Sequence, residues 1–171
     1  MERAAGQVTL LQAARTVARG GELDAKLDAL AEHVRTAADA SFAIIYLLDP
    51  VANVLLPAAQ AGAAEGALSS AGAIPVDDES QLAAQAVRER RTLSGAPGPD
   101  AAATGDGTAS LMLAVPLVAT DEAGGEDAEG VLLVALRETP ADASGVEDAL
   151  TALADLCAVA IRNARLQNAL L

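Results

Sequence analysis

The side chains able to do chemistry in this chain are few: one histidine, one cysteine, one tyrosine, a run of arginines and two acidic clusters. His33 follows Glu32 and precedes the apolar Val34, on the polar side of a helical stripe, where a lone imidazole is a surface group and not a ligand. Cys157 sits between Leu156 and Ala158, among apolar positions, so it reads as a core thiol. A helix interior does nothing to lower its pKa, and redox sensing is a minor option. Arg88, Arg90 and Arg91 form a basic patch on an acidic chain. Such guanidinium groups either capture a small carboxylate or phosphate or pair with nearby acids such as Glu79 and Glu89, and pairing is the expected use.

The acidic clusters carry less chemistry. Asp121 to Glu129 lacks the alternating oxygen ligands and closing glutamate of a calcium loop, so it reads as a solvated hairpin tip. Asp77, Asp78 and Glu79 suit the start of a helix, where the dipole favours negative charge. No nucleophile elbow, no Ser/His/Asp set and no glycine-rich phosphate loop after a strand is present. Catalysis has no visible seat, and the chain is expected not to be an enzyme and to carry no cofactor or metal.

The elements that must position these residues follow from periodicity. Leu10, Leu11, Ala14, Val17 and Ala18 predict a first helix closed by Gly20 and Gly21, with residues 1–9 as an extension. Leu23, Leu27, Leu30, Ala31, Val34 and Ala38 line a second. The period then shortens: residues 42–48 and 54–60, separated by Asp49-Pro50 and Ala52-Asn53, form a β-hairpin signature. Ile74 to Val76 suits a short edge strand, because proline is tolerated there. Asp77 or Ser80 is placed to cap a helix over residues 81–90, followed by a brief extended piece at Thr92-Leu93. Residues 62–72 and 94–109, rich in Gly, Ala and Ser or Pro, predict two long loops. Residues 110–118 and 130–136 are almost continuously apolar and predict central strands covered on both faces.

Tyr46 lies in the first strand, alternating with Ile44 and Leu48. If that face looks into a pocket, its hydroxyl orients a ligand; if not, the ring packs with its hydroxyl at an edge.

The final stretch, residues 146–171, has the most to say about function. Val146, Leu150, Leu153, Leu156, Val159 or Ala160, Asn163 or Ala164 and the leucines from Leu166 onward repeat in steps of three and four, with no Gly or Pro closing the pattern. Such a helix packs against a second copy or continues into a partner, as in a module of a signalling protein.

Composition bounds the rest. One domain of 171 residues is long enough for a single core. Aromatics make up 1% of the chain, so Ala, Leu and Val must fill that core, and little π-surface is left for stacking bases. Eleven basic residues against 24 acidic ones give a net charge of −13, which repels phosphate backbones and anionic headgroups. Nucleic acid and membrane are not expected partners. The single cysteine excludes an internal disulfide, and no apolar run approaches a membrane span. The start lacks a signal-peptide pattern, since Gln12, Arg15 and Arg19 interrupt it, and a cytoplasmic location is expected. Abundant alanine and arginine over lysine suit a GC-rich, bacterial genome.

Four stretches together resemble a GAF domain: FAIIYLLDPVANVLLPAAQAG, IPVDDESQLAAQAVRERRTL, SLMLAVPLV with EGVLLVAL, and DALTALADLCAVAIRNARL. LAVPL and AIRNARL are the most specific fragments. The resemblance spans residues 10–171 and implies an α+β fold: a central antiparallel sheet of five to six strands with N- and C-terminal helices on one face. On the other face it implies a pocket under the mid-chain helix and loops. The residues that element position then assigns to a small ligand are Ile44, Tyr46, Gln81, Gln85, Arg88 and Met112.

The resemblance further implies a sensory or regulatory domain that binds a small ligand and passes the signal through residues 146–171 to an output domain or protein. It also implies a homodimer through the terminal helices. A ligand-free dimerisation module with a collapsed pocket is the alternative. The chain departs from ligand-specific members of the family. It lacks the Asn-Lys, Phe and Asp-Glu set of cyclic-nucleotide binders, a pocket cysteine for a bilin and the several cysteines of methionine-sulfoxide reductases. For haem, His33 would be the sole histidine ligand available.

Overall fold

The computed structural model describes residues 23–49, 51–62, 73–95, 111–120, 124–136 and 143–170. The helix expected over residues 10–18 and most of the two predicted loops lie outside them.

Helix α1 (Leu23–Ala38) forms where the apolar stripe demands it: Leu27, Leu30, Ala31 and Val34 are completely buried. Asp39, at φ 49°, turns the chain out of the helix and into β1 (Ala40–Asp49). The hairpin to β2 (Val54–Ala61) is closed by the Asp49 carboxylate, which accepts the amides of Val51 and Ala52 at 3.0 and 3.2 Å. Short β3 (Ile74–Pro75), helix α2 (Leu82–Glu89) and short β4 (Leu93–Gly95) follow. The long hairpin β5 (Leu111–Thr120) and β6 (Glu126–Leu136) and helix α3 (Ala143–Leu170) complete the order.

The six strands form one antiparallel sheet in the order β3-β2-β1-β6-β5-β4, within the expected α+β class. Its prolines sit where a missing N–H costs nothing: Pro75 is on an edge strand, and Pro116 lies beyond the stretch of β5 that β4 pairs. Pro57 stands at a register shift between β1 and β2. Helices α1 and α3 lie side by side on one face, over Ala43, Ile45, Leu113, Val115, Leu132 and Val134. Helix α2 lies on the other, over Ala114, Val131 and Ala135. Coverage of both faces explains why β5 and β6 read as unbroken apolar runs.

Two glycines are fixed by close approach. A Cβ on Gly130 would stand 2.0 Å from the Tyr46 carbonyl oxygen. At Gly62, where φ is +77°, it would meet the Ser41 carbonyl at 2.5 Å.

Three local readings are corrected. The acidic stretch before Gly130 is not all hairpin tip, because β6 begins at Glu126 and pairs Ala128 with Val118. Ladder hydrogen bonds are made by the backbone, so charge alone does not end a strand. Helix α2 has neither Asp77 nor Ser80 as its cap: Gln81 holds the N-cap position, and its side chain makes no capping bond. Asp78 is engaged instead with the Ser80 amide and hydroxyl, at 3.0 and 2.6 Å. Finally, the terminal stripe divides into two faces: Leu150, Leu153, Ala154, Cys157, Ala158 and Ile161 are buried, whereas Val159 and Leu166 are 47% and 55% exposed.

Candidate functional site

Strand parity brings three of the six predicted ligand residues together. Ile44 and Tyr46 on β1 and Met112 on β5 project to the α2 side of the sheet and are buried there with Phe42, Leu55, Ile74 and Val76. The helix covering this face is small. It contributes Ala83, Ala84, Ala86 and Val87 to the cluster and packs chiefly against β5, β6, β4 and β3.

The three polar predictions lie outside that buried cluster. Gln81 is half-buried at the helix start, and Gln85 and Arg88 are exposed. Arg88 does not pair with Glu79 or Glu89. Its Nη1 donates to the Val76 carbonyl and, at 3.4 Å, to that of Asp78, tying α2 to the segment before it. Arg91 does pair, with Glu89 at 2.7 Å, and this bond holds the Glu89 carboxyl below its usual range. Ser80 likewise lowers Asp78.

Two residues escaped sequence reasoning. Gln60 lies directly opposite Ile44, and its Oε1 is buried with no hydrogen-bond partner. Glu129 is 5% exposed at the register shift beside Gly130, 3.8 Å from Arg162 on α3. The only signal for Glu129 in the sequence is an acid abutting an apolar run.

The remaining reactive groups sit on the α1/α3 face. Cys157 is completely buried, and loss of hydration pushes its thiol up to about 12, so it stays protonated at neutral pH. His33 is half-buried on α1, and the same effect lowers its imidazole below 6.5, against the pull of Glu32. Among the described residues no group of three or more His, Cys, Asp or Glu is placed to hold a metal, and no helix is long and apolar enough to cross a membrane.

A two-faced antiparallel sheet with two long paired helices on one side and a short helix on the other is a layered α+β architecture. The family comparison agrees: the GAF domain model matches residues 22–163, and the chain belongs to that family.

Solved structures share the fold. The GAF domain of a phosphoenolpyruvate-protein phosphotransferase from Coxiella burnetii superposes with a TM-score of 0.78 at 16% identity, covering 97% of this chain and 98% of that one. The second GAF domain of DevS from Mycobacterium smegmatis is 25% identical, with a TM-score of 0.66 over 88% of this chain and all of that one (100%). The free methionine-R-sulfoxide reductase of Neisseria meningitidis, solved with its substrate, gives 0.72 at 20% identity over 95% of this chain and 91% of that one. No curated protein sequence matches the chain.

Proposed function

We propose that this GAF domain is a non-catalytic sensor that takes a small molecule on the α2 face of its sheet and passes the change to its surroundings through α3. The observation that carries the reading is the asymmetry of the two faces. One is a continuous apolar seat for two long helices, while the other gathers Phe42, Tyr46, Met112 and the unsatisfied Gln60 oxygen around an eight-residue helix. Transmission requires two arrangements of the sheet and helix with different ligand affinities. Glu129 is well placed for this, since it joins the strand that touches Tyr46 to Arg162 on α3. The sole cysteine, buried and protonated against the helical face, supports a role without thiol chemistry.

A second copy of the chain is the expected partner. Ala152, Leu156, Val159, Asn163 and Leu166 recur in steps of four and three along α3, with Val159, Asn163 and Leu166 exposed and Leu156 at the margin of the core, the spacing of a coiled-coil seam. An Asn within such a seam favours a parallel pair in which it meets its own counterpart. The near-complete burial of Ile44, Tyr46 and Met112 by the chain itself favours a second reading: a ligand-free dimerisation module.

Native mass spectrometry of gently purified protein separates the two. A dimer carrying an added non-covalent mass is the result expected of the sensor. A bare dimer that answers to no metabolite favours the module, and a bare monomer removes the role assigned to α3.

A further inference from the structure

Helix α2 is held to its sheet by less than α1 or α3. Of its eight residues only Ala83, Ala84, Ala86 and Val87 are buried, with Leu82 at the margin of the cluster. By contrast, α1 buries Leu27, Leu30 and Val34, and α3 buries Leu150, Leu153 and Ile161. Burial free energy grows with apolar area, so α2 gains the least from staying in place. A helix this short has no stability of its own away from its packing surface. It also ends on Arg90 at φ 55°, a left-handed conformation that a residue with a Cβ adopts at a cost.

Arg88 offsets part of this weakness. The turn before the helix is fixed: the Val76 amide donates to the Asn53 carbonyl and the Asp78 amide to that of Pro75, each at 3.1 Å. From the last turn of α2, Arg88 reaches back and donates to the Val76 and Asp78 carbonyls of that anchored turn. The guanidinium thus clasps the far end of the helix to the place where it begins. The flanking strands β3 and β4 are two and three residues long, so little ladder on either side resists a swing of the helix between them.

Beneath α2 lies the face to which a ligand is assigned above. Met112, Ala114, Val131 and Ala135 are each at most 5% exposed, on the two strands against which α2 chiefly packs. While the helix is seated these side chains are closed to solvent, and a molecule reaches them only after the helix moves.

We infer that α2 opens as a unit while the rest of the domain stays folded, that Arg88 is its latch, and that this local opening is the route to the α2 face. Elements with few buried apolar contacts open below the free energy of global unfolding. A site offered only by the open fraction binds with an affinity reduced by that fraction. The link to a ligand rests on the reading of this face as the ligand site; the opening itself does not.

Labelling of the full chain with N-ethylmaleimide, read thiol by thiol by peptide mass mapping, tests the inference. Ala114→Cys puts a thiol beneath α2, and the native Cys157, completely buried under α1 and α3, reports global unfolding in the same molecule. The thiol under α2 is expected to react about tenfold faster than Cys157, or faster still. Arg88→Met is expected to speed it about fivefold, the contribution of one hydrogen bond. Ile45→Val, which shortens a side chain beneath the other face, is expected to speed Cys157 about fivefold and to leave the thiol under α2 at its original rate.

Equal rates at the two thiols, or a thiol under α2 that Ile45→Val speeds as much as Cys157, overturns the inference, because only global unfolding then bares that face. A rate under α2 unmoved by Arg88→Met overturns it as well, since Arg88 is then no latch. Should Ala114→Cys itself speed Cys157, the substitution has loosened the fold, and amide hydrogen exchange of the chain without it decides. Exchange at Val87 that Ile45→Val leaves unchanged upholds the inference, and exchange that quickens together with that of Leu30 on α1 overturns it. The sensor reading is judged separately by the native mass spectrum, where a retained small molecule shows binding by whatever route it entered.

Discussion

The two faces of the sheet are made from the same few residue types and do different things with them. Under α1 and α3, the buried apolar cluster is aliphatic except for one thiol, and two helices of 16 and 28 residues cover the strands. Under α2, an eight-residue helix buries only Ala83, Ala84, Ala86 and Val87, and the only Phe and the only Tyr of the chain lie on that same face of the sheet, as does the orphan Gln60 oxygen. The chain's single Phe and single Tyr thus both lie on the face proposed here to take a ligand.

The sharpest way to break the comparison is at the point the two faces share. Gly130→Val drives a Cβ into the Tyr46 carbonyl, 2.0 Å away, and backbone cannot yield as a side chain tip can. Circular dichroism should show no cooperative melting for this variant.

Next in size is a pair of neighbours on β1. Ile45→Ala and Ile44→Ala each remove a fully buried side chain and should each cost about 2–5 kcal/mol in urea titration. Only Ile44→Ala should also alter ligand binding, because only Ile44 faces α2. Equal effects of the two on binding would erase the division of labour proposed here.

The cysteine tests the helical face by pH. Its folded pKa of about 12 lies above the ordinary 9.0, so the unfolded state ionises first. The contribution is therefore intact below pH 9 and is lost as pH rises towards 12, at about 1.4 kcal/mol per unit. Cys157→Ala should flatten that limb of the stability profile relative to the wild type. A wild-type profile with the same slope as the variant would show that water reaches the thiol.

Smaller effects belong to the surface of α2. Arg88→Met leaves the Val76 and Asp78 carbonyls without their donor and should cost about 1 kcal/mol. Arg91→Ala, which breaks an exposed pair with Glu89, should stay within about 0.5 kcal/mol.

Element identities were legible from periodicity alone because α1, β1, β5 and β6 each bury residues at their natural spacing. The buried trio of Ile44, Tyr46 and Met112 was legible as well, since β1 from Phe42 onward and the middle of β5 pair with β6 without a register shift. Gln60 was not. Leu55 faces α2, and simple alternation would put Ala59 and Ala61 on that same side, turning Gln60 away. The register shift between Ile45 and Tyr46 in the β1–β2 pairing reverses the parity of β2, so that Ala59 and Ala61 join the helical face and Gln60 the other. The shift at Leu117 and Val118 similarly accompanies the burial of Glu129. The polar residues on α2 were assigned from the helix position, but one of them, Arg88, is drawn to backbone carbonyls that no periodicity reveals.

The four isoleucines offer the most direct measurement of the central claim, because Ile44 and Ile74 lie under α2 whereas Ile45 and Ile161 lie under α1 and α3. Methyl NMR spectra of the isoleucine-labelled chain, recorded with a panel of neutral amides, amino acids and nucleotides, would locate binding by face. The account predicts a saturable shift that is largest at Ile44 and Ile74 for at least one member of the panel. Shifts confined to Ile45 and Ile161, or no saturable shift from any compound, would contradict it.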